Sequence, residues 1–306
     1  DALKINIEEI FMKNILLATD FTPNSDRAIA RALRLARETG ASLYVLHVTP
    51  PYPLKKLKQS LREELQTLIH KQVEAQRFGK EVKTYVNVVQ AADIFNEILL
   101  HAHSTKADLI VMGMHSKTKL QDFFVGTTME RVIRSGIKPV LVVKNPTTGG
   151  YQKVVSGIDY SPGSHAAFRM AKDIAPRADF YTIHAYEIPH YAERTYKYAV
   201  SKALVEERHQ KDMDKFLKNE TSYFKKNQEN GDGKIVGQLA AGKPCKILAK
   251  KAKGLKAGLL TIGAHGETGF ILPGTKLGGT ALEILFDPPC DVLVANNWKD
   301  MSQILV

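Results

Sequence analysis

The chain repeats its own pattern, and that limits its fold more than any other feature. Residues 13–21, KNILLATDF, return as residues 153–160, KVVSGIDY, and each copy enters a Pro-containing turn, Thr22-Pro23-Asn24-Ser25 or Ser161-Pro162-Gly163-Ser164. An Ala-rich amphipathic segment follows each turn, and a second apolar run closes each unit, SLYVLHV or DFYTIHAY. Farther on, ADLIVMGMH at 107–115 is echoed by AGLLTIGAH at 257–265, and GTTMERVIRSGIKPVLVV at 126–143 by GTALEILFDPPCDVLVA at 279–295. The pairs Asp20/Asp159 and His47/His184 are almost equally separated in sequence, whereas Gly113/Gly263 and Gly126/Gly279 lie farther apart. The drift falls between matched elements, where loops absorb length at little cost. Such a pattern predicts two copies of one domain, as the length of 306 residues also allows. The expected boundaries are an extension over 1–11 without counterpart, a first domain over 12–145 and a second over 152–300. The Pro/Gly/Thr-rich KNPTTGGYQ at 144–152 joins the two.

Within each half, short apolar runs alternate with helical patterns, which predicts βαβ units and a parallel sheet covered on both faces. The class is therefore α/β, with two doubly wound five-stranded domains. In the first half the strands are expected near 14–19, 42–48, 81–88, 108–113 and 139–143. The charged stretches 54–78 and 191–230 fit the helix between the second and third strands, with a turn at NQENGDG ending the latter. No apolar run approaches the roughly 20 residues of a membrane helix, and the start shows no leader pattern. Two distant cysteines, Cys245 and Cys290, argue against a disulfide scaffold or a Cys-based zinc site. These features together predict a cytoplasmic protein without membrane contact. The balance of 43 Lys+Arg against 32 Asp+Glu, net +11, favours an anionic partner. Nucleic acid is the weakest choice, because the Lys-rich stretches at 55–58 and 246–256 carry no interleaved aromatics.

In a doubly wound sheet, ligands bind outside the carboxyl ends of the strands, where strand order reverses. The residues of interest therefore follow the first and fourth strands. After the fourth come Gly113-Met114-His115-Ser116, nine further residues and Gly126-Thr127 in half one. In half two come Gly263-Ala264-His265-Gly266, twelve residues with Pro273 among them, and Gly279-Thr280. Glycine lets backbone N–H groups approach an anion, and a Gly-Thr pair opening a helix adds the positive end of its dipole. The competing structural account is that Thr127 with Glu130, and Thr280 with Glu283, form capping boxes. Asp20 and Asp159 reach the same mouth, either to bond a nucleoside or to cap the following turn. The four histidines His47, His184, His115 and His265 show no metal-ligand spacing and fit structural roles better. Gly237 to Pro244 has the outline of a Walker A loop, but proline stands where the Mg²⁺-binding hydroxyl belongs. Ser156-Gly157 fits a strand, and Cys290 fits the core.

The pattern G-x-x-G-x₉-G-[ST], with an apolar strand ending A-T-D-F-T-P, a second ending L-H-V and a last strand P-V-L-V-V, resembles the universal stress protein family. It covers almost the whole chain twice. The resemblance implies an adenine-nucleotide α-hydrolase-like fold of strand order 3-2-1-4-5 and ATP, with or without Mg²⁺, as ligand. Carried over, it points to Asp20, Val48, Met112, Gly113, Ser116, Gly126 and Thr127 in half one. In half two it points to Asp159, Ala185, Ile262, Gly263, Gly266, Gly279 and Thr280. Ser116 departs from the pattern where a glycine belongs, and half two departs by its longer spacing. The resemblance further implies pairing through the fifth strands, as an intrachain pseudo-dimer or between two chains as a homodimer. No water-activating base is apparent, so the expectation is a binding protein for stress response or signalling rather than an enzyme. Two alternatives remain open: a regulatory scaffold that binds no nucleotide, and a weak ATP-hydrolysing or AMP-transferring enzyme.

Overall fold

The computed structural model of the protein describes residues 12–20, 23–51, 55–75, 82–114, 126–187, 197–227, 233–266 and 277–296. Residues 1–11, His115, Ser116 and Pro273, all singled out in the sequence, lie outside the described residues. In half one the chain runs β1 (Asn14–Ala18), α1 (Pro23–Thr39), β2 (Ser42–Thr49), α2 (Lys55–Ala75), β3 (Thr84–Gln90), α3 (Ile94–Ser104), β4 (Leu109–Gly113), α4 (Thr128–Ser135) and β5 (Val140–Val143). Half two repeats this as β6 (Lys153–Gly157), α5 (Pro162–Ile174), β7 (Asp179–Tyr186), α6 (Lys197–Asn227), β8 (Ile235–Ala241), α7 (Pro244–Leu255), β9 (Leu259–Gly263), α8 (Gly279–Phe286) and β10 (Asp291–Ala295).

The described strands form one sheet of order β3-β2-β1-β4-β5-β10-β9-β6-β7-β8. Each half is parallel and has the expected 3-2-1-4-5 order. The two meet through β5 and β10, which pair antiparallel with Val142 opposite Val292, Leu141 opposite Leu293 and Val140 opposite Val294. The third strand begins later than the sequence pattern predicts, at Thr84 instead of 81, because β3 pairs along β2 from Leu43 to Thr49 and ends with it at Gln90. Strand residues alternate between two cores. Ile15, Leu17 and Leu141 pack with α1, α2, α5 and α6 on one face, and Leu16, Val140 and Val142 pack with α3, α4, α7 and α8 on the other. Both faces are thus covered, which is why these strands read as continuous apolar runs.

Helix ends obey local signals. Ser161 caps α5 by accepting the Ser164 N–H, with Pro162 in the first turn. Gly136 stops α4 in the left-handed conformation, φ 67°. The α5–α6 contact is ionic as well as aromatic. Phe168 lies 5.3 Å from both Phe180 and Phe216, while Glu220 accepts from Arg169 at 2.8 and 2.9 Å and lies 3.0 Å from His165 Nδ1. Burial alone would raise the Glu220 pKa, but the hydrogen bonds from His165 and Arg169 outweigh it and hold the carboxyl below its ordinary value. Its stabilising contribution is therefore present above the ordinary carboxylate range and is lost as pH falls through the lowered value.

A second ionic cluster lies where the halves meet. Arg31 Nε on α1 is 3.2 Å from Asp291 Oδ2 on β10, with the two side chains 6% and 0% exposed. Arg31 also donates to Gly149 O at 2.8 Å and stacks over the Tyr151 ring at 4.0 Å. Tyr151 donates to Asp291 Oδ2 at 2.8 Å, and Asp291 Oδ1 accepts the N–H groups of Lys144 and Asn145. Burial first, and the nearby Asp291 charge second, push the Tyr151 phenol well above its ordinary pKa, so it stays a donor.

Both cysteines are free and buried. Burial, aided by Asp291, pushes the Cys290 thiol up to about 12, and burial together with the Glu283 carboxylate raises Cys245. Since the thiolate is the reactive form, a disulfide reagent at pH 8 is expected to leave both thiols essentially unmodified in the native protein. Both should react in denaturant. Rapid modification of two thiols in the native state would contradict this burial.

Candidate functional site

The two halves build the same mouth from the same residue types. Past β1, Thr19 donates to Leu46 O at 3.0 Å, and its own carbonyl holds His47 Nδ1 at 2.8 Å. Past β6, Ile158 donates to Ile183 O at 2.9 Å, and its carbonyl holds His184 Nδ1 at 2.8 Å. Each second-strand histidine thus clasps the peptide just before the first-strand aspartate, the structural role expected of it. Among the described residues no group of three His, Cys, Asp or Glu converges as a metal set.

Both aspartates also brace their own turns. The Ser25 hydroxyl donates to Asp20 Oδ1, and the Asp20 N–H donates back to Ser25 Oγ at 3.2 Å. Asp159 Oδ1 accepts from the Ser161 N–H at 3.0 Å and hydroxyl at 2.6 Å, an Asx-type turn. The other Asp159 oxygen, Oδ2, lies 3.6 Å from where a Cβ on Gly266 would stand. In half two, therefore, the aspartate and the glycine turn face one another closely.

That turn is packed tightly. A Cβ on Gly263 would meet Ser164 N at 3.0 Å and His265 O at 3.2 Å, so the end of β9 abuts the first turn of α5 with only a glycine's width. Gly278 donates to Ala264 O at 2.9 Å, and a Cβ on it would lie 3.7 Å from Gly266 N. The glycine turn and the start of α8 therefore touch. Gly278 is the N-cap of α8 and supplies no side-chain cap, while a Cβ on exposed Gly279 would meet nothing within 4 Å. Among the described residues no side chain caps the first N–H groups of α8, which lie at the positive end of a helix dipole. The capping box expected of Thr280 and Glu283 does not form. Thr280 sits inside the helix, and Glu283 instead pairs with Lys243 Nζ at 2.7 Å and accepts from Cys245 Sγ at 2.9 Å.

Half one is closed at the same place. Gly126, at φ 83°, donates to Glu130 Oε2 at 3.0 Å. Thr127 caps α4 by accepting the Glu130 N–H at 3.2 Å, so here the capping account is correct. The neighbouring helix repeats the contrast. Asp93 caps α3 through Phe95 N and Asn96 N and grips Arg131 with both oxygens at 3.2 Å. Those bonds, the one from Arg131 foremost, hold Asp93 below its ordinary pKa. The equivalent cap of α7 is Lys243, which makes no side-chain cap bond. Two helix N-termini thus carry a side-chain cap in half one, and their counterparts in half two receive none from their N-cap residues. The motif spacings carry no sign of this, but setting Asp93 against Lys243 in the repeat would have shown it.

Of the remaining residues singled out, all but Gly113 lie on one face of the sheet. Met112 and Ile262 are buried in the core against α3, α4, α7 and α8, and Val48 packs partly buried on it. Ala185 shares the strand face of Ile183, and Gly113 ends β4. The Walker-like segment divides between β8, which includes Gly237, and α7, which begins at Pro244.

Comparison with known proteins agrees with this architecture. The family model described as "Universal stress protein family" matches residues 12–144 and again 150–296. A universal stress protein of Methanocaldococcus jannaschii is 34% identical over 148 residues, covering 45% of this chain and 85% of that protein. One from Mycobacterium tuberculosis is 23% identical but spans 94% of this chain and 96% of its own. Among solved structures, a universal stress protein from Archaeoglobus fulgidus superposes with a TM-score of 0.63 at 19% identity, covering 93% of this chain and 98% of that one. At that identity the likeness shows the fold alone.

Proposed function

The chain belongs to the universal stress protein family, and on that premise we propose that it binds an adenine nucleotide in half two, without efficient turnover. The observation that carries this reading is the open N-terminus of α8. Among the described residues no side chain caps it, it touches the Gly263–Gly266 turn, and an Asp159 oxygen lies 3.6 Å from where a Cβ on Gly266 would stand. The open space at Gly279 fits a phosphate group, and the backbone N–H groups around it supply donors. Asp159 would hold the nucleoside, Ala185 and Ile262 would border the base, and Gly263, Gly266, Gly279 and Thr280 would hold phosphates. Asp20, Val48, Met112, Gly113, Ser116, Gly126 and Thr127 form the counterpart set in half one. There the Glu130 carboxylate already takes the Gly126 N–H and would repel a phosphate, so one nucleotide per chain is the stoichiometry proposed. The β5–β10 pairing supports an intrachain pseudo-dimer. The two domains proposed are 12–145 and 152–300, and the role proposed is a cytoplasmic one in stress response or signalling.

The test is to denature purified protein, identify any released nucleotide by mass spectrometry, and titrate ATP with and without Mg²⁺ by calorimetry. Wild type, Asp20→Ala and Asp159→Ala are compared. The expected result is one site per chain, abolished by Asp159→Ala and retained by Asp20→Ala. Absence of both released nucleotide and binding heat would overturn the reading in favour of a scaffold.

A further inference from the structure

Half one reaches into the ligand turn of half two. Just past β10, Asn296 Nδ2 donates to Ile133 O, in the last turn of α4, at 3.4 Å. Its Oδ1 lies 3.0 Å from His265 Nδ1. A carbonyl only accepts, so Ile133 fixes which way the amide faces; Oδ1 then meets the imidazole, and Nδ1 must carry the proton. The buried His265 Nε2 has no hydrogen-bond partner among the described residues. His265 is the bulky member of Gly263-Ala264-His265-Gly266. On the other side of Asn296 the fit is equally close. A Cβ on Gly136, the residue ending α4, would fall 2.5 Å from Asn296 Nδ2.

We infer that helix α4 of half one sets the shape of the half-two glycine turn through Asn296 and His265, which makes Asn296, and Gly136 across the seam from it, positioning residues for the half-two ligand site. A turn with glycine at both ends has little torsional restraint of its own. The Ala264 N–H fixes it at one point by donating to Ala295 O at 2.9 Å. The tethered His265 ring fixes it at a second, and a turn ordered before binding needs less ordering by the ligand. The geometry stands by itself, while its consequence for affinity rests on the nucleotide reading above.

Gly136→Ala tests this against Gly40→Ala. Both glycines end helices with left-handed backbone, φ 67° and 76°, so both variants carry a similar backbone cost. Only Gly136 presses on Asn296, since a Cβ on Gly40 meets nothing within 4 Å. Asn296→Ala serves as a third variant that leaves the helix end intact. ATP affinity is read by calorimetry on the full chain, and the His265 tautomer by imidazole ¹⁵N chemical shifts without nucleotide. Gly136→Ala and Asn296→Ala are expected to weaken ATP by about 10-fold, the scale on which outer-shell orienting partners act, and to shift the His265 ring signals away from the fixed Nδ1–H form. Gly40→Ala should do neither. Unchanged ring shifts in Gly136→Ala and Asn296→Ala, or equal changes in Gly40→Ala, would overturn the inference. If wild type binds no ATP, the binding reading fails alone, and the ring shifts still decide the positioning role.

Discussion

Asp291→Ala is expected to destabilise the protein by about 3–5 kcal/mol, the range for breaking a buried ion pair by removing one partner. The size follows from what is stranded. Arg31 is 6% exposed at its side chain and would keep its charge with Gly149 O and the Tyr151 ring as its partners among the described residues. The Tyr151 hydroxyl and the N–H groups of Lys144 and Asn145 would lose their acceptor together, each at a further desolvation cost. Replacing both Arg31 and Asp291 with leucine should cost less than Asp291→Ala alone, because no charge is left buried. Urea unfolding followed by circular dichroism measures both. A loss under about 1 kcal/mol for Asp291→Ala would mean that water reaches Arg31 and that the pair is not sealed.

Gly279→Val should weaken nucleotide binding on the order of 100-fold while hardly changing stability. Among the described residues nothing lies within 4 Å of the added Cβ, and Gly279 sits at the exposed start of α8. A side chain there therefore strains no contact, and surface changes of this kind stay within about 0.5 kcal/mol. The isopropyl group would nevertheless cover the N–H donors that a phosphate needs. Loss of two hydrogen bonds to a charged group, at roughly 1.5 kcal/mol each, weakens ATP on the order of 100-fold. The separation of effects is the informative result. Wild-type affinity in Gly279→Val would move the ligand away from α8, whereas joint loss of binding and stability would mean that the helix start is not open.

The duplication made most of the fold legible, because Asp, Gly and Pro punctuate the same strand ends in both halves and loops absorbed the length differences. Strand order came with the family resemblance, and the strand pairing has that order in each half. Two kinds of feature escaped. Contacts such as Arg31 with Asp291, or Asn296 with Ile133, join residues far apart in sequence and leave no local pattern, since a buried arginine and a solvated one look alike in a helix. Competition between partners also escaped. Thr280-x-x-Glu283 has a capping spacing, yet α8 starts at Gly279 with Gly278 as its N-cap and Glu283 pairs with Lys243, whereas in half one Thr127 is itself the N-cap and the same spacing closes.

The β5–β10 seam has a consequence for how the protein assembles and diverges. Nine residues, 144–152, connect one seam-bearing half to the other, so the pairing is unimolecular and its effective concentration is set by the tether, on the order of millimolar for short connections. Dilution that would dissociate a dimer of separate subunits leaves this seam intact. Each half also meets the same partner every time, never a copy of itself. A change on one side is then answerable by a single change on the other, free of the two-fold constraint that binds homodimers. Under that freedom one mouth can keep its helix ends open while the other seals its own, and the sealed half can still serve by holding the open one in shape.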